Sequence, residues 1–197
     1  MHNKLTLYKE DSFEILFQNS PPIGEFVELN QTHSNHVCEL SQVGFSKDGE
    51  DGVLFNRTEK KVISIKTADC FSISFIGKDA IALVHAGWRG VKNQIHLKRS
   101  IINLQPHTII TGPSICENCF EVKEDFYSHF PNNLDYFYHK NNQLIFRIKT
   151  LLHDQLTETF PMAEINLSTI CTKCSNQWHS YRRNKTTKRN FTVFQKR

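Results

Sequence analysis

Between Lys61 and Trp88 the chain reads KVISIKTADC, FSISFIG and AIALVHAGW, three β-branched and aromatic runs separated by polar or glycine-containing breaks. Runs of this length and composition fit buried strands better than helices. A fourth, HTIIT at 107–111, ends at GPSI. Shorter strands are expected at FEILFQ (13–18) and FVEL (26–29), with SPPIG as the turn between them. YFYHKNNQLIF (136–146) reads as a hairpin that turns at KNNQ. A chain with this much buried strand must stack it in layers.

Helical periodicity is sparser. After Gly90, Val91, Ile95 and Ile102 fall at i, i+4 and i+11, one stripe of a helix. CFEVKEDFYSHF (119–130) places Phe126 and Phe130 four apart and reads as helical, and Ile148, Leu151, Leu152 and Leu156 mark an amphipathic helix. INLSTIC and FTVFQ read as a last strand pair bracketing the basic turn YRRNKTTKR. The alternation of strands and helices predicts an α/β or α+β domain. The chain has 197 residues, 39% of them hydrophobic and 15 of them Phe, enough for one core. No repeat or linker divides it, so residues 1–197 are expected to form a single domain.

Charge narrows the partners. The net charge is +4, yet from Tyr181 to Arg197 there are seven Lys or Arg and no Asp or Glu, leaving a body of 17 basic and 20 acidic residues. The basic stretch is expected to be a solvated turn. A zinc-containing nucleic-acid-binding protein ranks last among the readings, because the tail interleaves few aromatics with its charges and the body is acidic. The first 17 residues lack the apolar core of a secretory signal, and no window approaches the ~18 apolar residues of a membrane span. The expected home is the cytoplasm, with no membrane partner. There the six cysteines should stay reduced and serve as packing residues, metal ligands or nucleophiles.

Three apolar strands end in unusual polar sequence: TADC, HAGWRG and TGPS. Ligand sites in open α/β sheets sit at strand carboxyl ends, so these three point to one site. Cys70 and His85, with His33 or His36 from QTHSNHV, would meet the three-ligand count of a catalytic zinc. Either residue alone would more simply be a core cysteine or a hydrogen-bonded histidine; their shared position at strand ends argues otherwise. Asp69 either orients a ligand or closes a turn. Gly87 and Gly90 permit a tight turn, and Arg89, before a helix start, is a candidate anion ligand. Trp88 is expected to pack. The CxxC pairs Cys116/Cys119 and Cys171/Cys174 are 51 residues apart, against about 15–20 in a compact zinc ribbon, so a four-cysteine site is the minor alternative for them.

The order QTHS, TADC, HAGWRG, GPSIC with CFEV, and CT with SYRR resembles the bacterial laccase-domain family, also called YfiH-type or polyphenol oxidoreductase proteins. The resemblance spans about Gln31 to Arg189. It implies a single-domain four-layer α/β/β/α sandwich and a metal, zinc with copper as the other candidate, held by His33, Cys70 and His85; it thus selects His33 over His36. It further implies phosphorolysis of adenosine, inosine, guanosine and methylthioadenosine, with purine nucleosides and phosphate as partners and adenosine deamination as a second activity. Copper-dependent polyphenol oxidation is an older attribution of the family, and a role in editing peptidoglycan precursors has also been attached to it. Arg89, Arg182 and Arg183 become phosphate-binding candidates, and Asp51 a residue for substrate contact or proton transfer. Against the family pattern the N-terminal region is short, and Cys116 and Cys174 are additions. The alternative chemistry is a metal-free cysteine hydrolase with Cys70 as nucleophile and His85 as base, since the family's fold resembles that of a toxin deamidase with such a pair.

Overall fold

The computed structural model describes residues 2–197. In chain order the strands are β1 (Lys4–Lys9), β2 (Phe13–Gln18), β3 (Val27–Glu28), β4 (Val37–Glu39), β5 (Gly52–Asn56), β6 (Ile63–Thr67) and β7 (Phe71–Ile76). They continue as β8 (Ala80–Ala86), β9 (Thr108–Thr111), β10 (Glu121–Val122), β11 (Phe137–Lys140), β12 (Gln143–Phe146), β13 (Glu164–Asn166) and β14 (Asn190–Lys196). The α-helices are α1 (Trp88–Lys92), α2 (Arg99–Asn103), α3 (Ile148–Thr159) and α4 (Tyr181–Asn184).

The strands form a five-stranded sheet, β1-β2-β14-β6-β3, a six-stranded sheet, β13-β9-β7-β8-β5-β4, and a small sheet, β10-β12-β11. Strand alternation dictates how the two large sheets meet. Phe13, Ile15, Ile63, Ile65 and Phe194 of the first face Val53, Phe55, Ile76, Ile81, Leu83 and Ile110 of the second in one buried cluster. The other face of the six-stranded sheet presents Ile73, Phe75, Ala82, Val84 and Ile109 to Val91, Ile95, Ile101, Leu151, Leu152 and Leu156 of the helical layer. On the outer face of the five-stranded sheet lies a small cluster, Leu16, Phe191 and Val193 with Val62 against it, to which, among the described residues, no helix contributes. The expected α+β class and central pair of sheets are present, and the layer on this side is thin.

The strand runs near the site fold as their patterns predict, and the hairpin turns on Asn141 and Asn142, both left-handed at φ 50° and 61°. Four expectations need correction. The stripe from Val91 to Ile102 is not one helix: Gln94 turns left-handed at φ 53°, and α1, a 3₁₀ turn at Ile95–Leu97 and α2 follow in pieces. Ile101 is therefore buried where Ile102 was expected, and Ile102 is exposed. The segment 119–130 forms β10 and a 3₁₀ helix at Glu124–His129, because its aromatic rings settle the geometry. Phe126 packs on Phe120, Phe130, Phe137 and Phe146 at once, with ring centroids 5.5–6.4 Å away. β13 and β14 are not partners: β13 runs parallel to β9, and β14 lies between β2 and β6. The YRRN segment between them is the short helix α4.

His96 is fully buried, its Nε2 2.9 Å from Gln155 Oε1 on α3. Burial pushes its pKa down to about 4, the Gln155 bond opposing only in part. The unfolded chain takes up this proton near pH 6.5, the folded chain only near 4, so stability is unaffected above that window and falls as pH drops through it. The full loss is roughly 3 kcal/mol. Urea unfolding between pH 7 and pH 4.5 is expected to show a shallower pH slope for His96→Gln than for the parent chain; parallel slopes would refute it.

Candidate metal centre

Three strand ends meet for a topological reason. β7 runs antiparallel to both β8 and β9, so the carboxyl ends of those two strands lie beside its start: Ser72 is opposite His85, and the Gly112 N–H donates to the Ser72 carbonyl at 3.0 Å. β6 reaches the same place because only Ala68, Asp69 and Cys70 separate it from β7. TADC, HAGWRG and TGPS are thereby gathered at one end of the six-stranded sheet.

The Q-x-H loop is brought there by a side chain. Gln31 presents its amide to the edge of β6 as a strand would: Nε2 donates to the Lys66 carbonyl and Oε1 accepts from the Lys66 N–H, each at 2.8 Å. β3 pairs with β6 as far as Ser64, and Gln31 extends the pairing where β3 has ended. Two residues on, His33 sits left-handed at φ 61°, with its Nε2 4.0 Å from Cys70 Sγ and its ring 4.9 Å from that of His85. One donor atom each from His33, Cys70 and His85 lies within 4.8 Å of the others. Gly87 permits the approach: a Cβ there would stand 3.0 Å from His33 Cδ2 and 3.1 Å from Cys70 Sγ. His36 lies outside the group, its Nδ1 3.3 Å from the Gly49 carbonyl.

Asp51 is fully buried and works through its neighbours. Its Oδ1 is 2.6 Å from His85 Nδ1, and its Oδ2 accepts from the Ser34 N–H and from the Thr32 N–H at 3.3 Å. One carboxylate thus fixes the imidazole, leaving Nε2 as its free donor, and holds the His33 loop. Burial opposes charge throughout this group, yet the partners win. The Cys70 thiol is brought down to about 6, chiefly by His85 with help from His33. His85 is raised to about 9 by the Cys70 thiolate and Asp51. Asp51 is held below its usual range, its desolvation outweighed by the bonds from His85 and Ser34. A thiolate and two imidazoles, His85 releasing its Nε2 proton when an ion binds and keeping Nδ1–H on Asp51, are suitable ligands for a zinc or copper ion.

The group opens onto a cavity of about 320 Å³ lined by Gln31, Lys66, Thr67, Tyr181 and Arg189 besides the three donors. Its positive charges are not the expected ones. Arg89 is exposed and lies over the Trp88 ring at 4.5 Å. Trp88 itself is half-buried and packs on Phe126 and His129. Arg182 donates to the Glu121 carbonyl at 2.6 Å and covers the Phe120 ring. Arg183 donates to the carbonyls of Thr172, Lys173, Ser175 and Trp178 at 2.6–3.1 Å, which makes it a brace with few donors left for phosphate. None of these three lines the cavity. Lys66 and Arg189 do, and sequence reasoning missed both. Lys66 directly precedes TADC, a usable signal; nothing local sets Arg189 apart within its basic run. Among the described residues, no helix is long and apolar enough to cross a membrane.

Comparison with known proteins agrees with the geometry. A solved structure from Neisseria meningitidis superposes with a TM-score of 0.80 over 98% of this chain and 99% of that one, at 20% identity, so the two share a fold. The chain belongs to the multi-copper polyphenol oxidoreductase laccase family, whose model matches residues 12–195. A protein of Aquifex aeolicus named purine nucleoside phosphorylase is 32% identical over 82% of this chain and 78% of its own length. A prokaryotic protein named adenosine deaminase RL5 is 30% identical over 55% of this chain and 47% of its own.

Replacing Asp51 with Asn should weaken metal binding by about 10–100-fold, because His85 loses the carboxylate that fixes its ring. Competition against a chromogenic chelator measures this, and an unchanged affinity would show that Asp51 does not act through His85.

Proposed function

We propose that the chain is a metal-dependent purine nucleoside phosphorylase with adenosine deamination as a second activity, its metal held by His33, Cys70 and His85. The observation that carries this reading is the convergence of three zinc-type donors on a cavity of about 320 Å³, a size suited to a small organic ligand. The names of the relatives support the nucleoside class. His33, Cys70 and His85 would hold the ion, which would supply Lewis-acid chemistry there. The other roles belong to the chain. Asp51 holds the His85 tautomer, and Gln31 fixes the His33 loop. Lys66 and Arg189 supply the positive charge that a phosphate needs in the cavity, the part first expected of Arg89, Arg182 and Arg183. Lys66 Nζ is now 2.6 Å from Glu28 Oε1 in a partly exposed pair, weak enough to exchange for an anion. Tyr181 offers a hydroxyl group for orientation.

The Asp51, His85, Cys70 sequence of contacts also favours a second reading, a cysteine hydrolase in which His85 is the base. Metal content separates the two. Under the first reading, Cys70→Ala purifies with about one metal ion fewer per chain than the parent and loses at least 100-fold in activity. Equal metal in both proteins would discard it.

Incubated with inosine and phosphate, the purified chain is expected to release hypoxanthine and ribose 1-phosphate; incubated with adenosine alone, it is expected to form inosine. Chromatography reads both. Lys66→Met should raise the KM for phosphate about tenfold with a smaller change in kcat, because the charge serves binding. Absence of both products from metal-loaded protein would end the nucleoside reading, and turnover of a phenol by copper-loaded protein would replace it with oxidation.

A further inference from the structure

We propose that Cys116, Cys119, Cys171 and Cys174 bind one zinc ion in a closed, structural tetrathiolate site, separate from the His33, Cys70, His85 centre. The 51 residues between the two CxxC pairs argued against it in the sequence, but loop closure costs little more for a long loop than for a short one. The fold meets that cost elsewhere. Ser114 and Cys171 form a parallel bridge, the Thr172 N–H donates to the Ser114 carbonyl at 3.0 Å, and the two CxxC turns lie side by side.

All four sulfurs lie within 4.8 Å of one another, and Cys119 Sγ is 3.4 Å from Cys174 Sγ. Four thiolates around zinc at about 2.3 Å stand about 3.8 Å apart, so the cluster needs only small movements to close on an ion. Each pair forms a tight turn, the Cys119 N–H donating to the Cys116 carbonyl at 3.1 Å and the Ser175 N–H to the Cys171 carbonyl at 2.9 Å. The Cys116 N–H already donates to Cys171 Sγ at 3.2 Å, a bond that stabilises a thiolate. An all-sulfur tetrahedral set selects zinc among common divalent ions and leaves no position for substrate. Positive charge for the doubly anionic cluster is at hand: Lys149 lines the same hollow as Cys116, and Arg183 clamps the Cys171–Cys174 turn through its carbonyls.

The cluster also braces the first centre. The Ile115 N–H, next to Cys116, donates to the Asp69 carbonyl at 3.0 Å, and the Thr172 hydroxyl, next to Cys171, donates to Asp69 Oδ1 at 2.7 Å. Asp69 precedes Cys70 and sits at φ 91°, a conformation that needs such support. Zinc on the four cysteines would fix both neighbours of Asp69 and, through it, the Cys70 thiol.

The full chain carrying Cys70→Ala, expressed with zinc, is to be assayed for metal and by zinc K-edge X-ray absorption. About one zinc per chain with four sulfur neighbours at about 2.3 Å is expected, lost when Cys119→Ser and Cys174→Ser are added. Should the Cys70→Ala chain not fold, the parent chain suffices: with both centres filled its zinc averages about 2.5 sulfurs per ion, against about one if the first centre alone binds. A parent chain with one zinc that Cys70→Ala removes, a Cys119–Cys174 disulfide in the fresh protein, or iron in place of zinc would overturn the proposal. The first of these results would leave the His33, Cys70, His85 centre intact, and zinc retained in equal amount by Cys70→Ala would do the reverse.

Discussion

Three residues, Ala68 to Cys70, carry the chain from the five-stranded sheet to the six-stranded one. Packed sheets are about 10 Å apart and an extended residue spans at most ~3.6 Å, so this link has almost no slack. The tautness explains much that surrounds it. Asp69 turns through a positive φ and commits both carboxylate oxygens, one to the Thr172 hydroxyl and one to the Arg182 N–H at 2.6 Å. Cys70 emerges at the seam between the sheets, where β8 ends on one side and the Gln31 loop arrives on the other. A sulfur on a long loop would need other means to hold it; here the sheet spacing holds Cys70.

The electrostatics of the group depend on one buried acid. Asp51 pays its desolvation through three bonds, to His85, Ser34 and Thr32. In return it sets which nitrogen of His85 is free and where the His33 loop rests. The residue contributes geometry to the centre without touching the cavity, so its effect on chemistry passes through the imidazole.

How much of this was legible in the sequence varied with the range of the interaction. The strands KVISI, FSISF and AIALV declared themselves because alternation and β-branched content are local, and their polar ends marked the site for the same reason. The element around Phe126 did not, since the 3₁₀ helix ends at His129, before Phe130, and Phe126 is wedged among Phe120, Phe137 and Phe146, contacts that a local spacing of four does not reveal. The stripe from Val91 broke at Gln94, where a left-handed residue carries no sequence mark unless it is glycine or asparagine. Arg183 looked like a phosphate ligand because charge in a basic run is visible and the four carbonyls that consume it are not. The convergence of the two CxxC pairs was hidden for a related reason: it depends on the bridge from Ser114 to Cys171, a contact between segments far apart in the chain.

Gln31 adds a different kind of consequence. Backbone pairing along β6 is indifferent to side-chain identity, but past Ser64 the edge is continued by one amide group making two bonds. The loop bearing His33 is thus docked in a register that a single residue encodes. Glutamate there would lose the donor, and a shorter asparagine would lose the reach. Fold and centre are separately editable at this point, for the sheet would survive a change that unmoors one of its three donors.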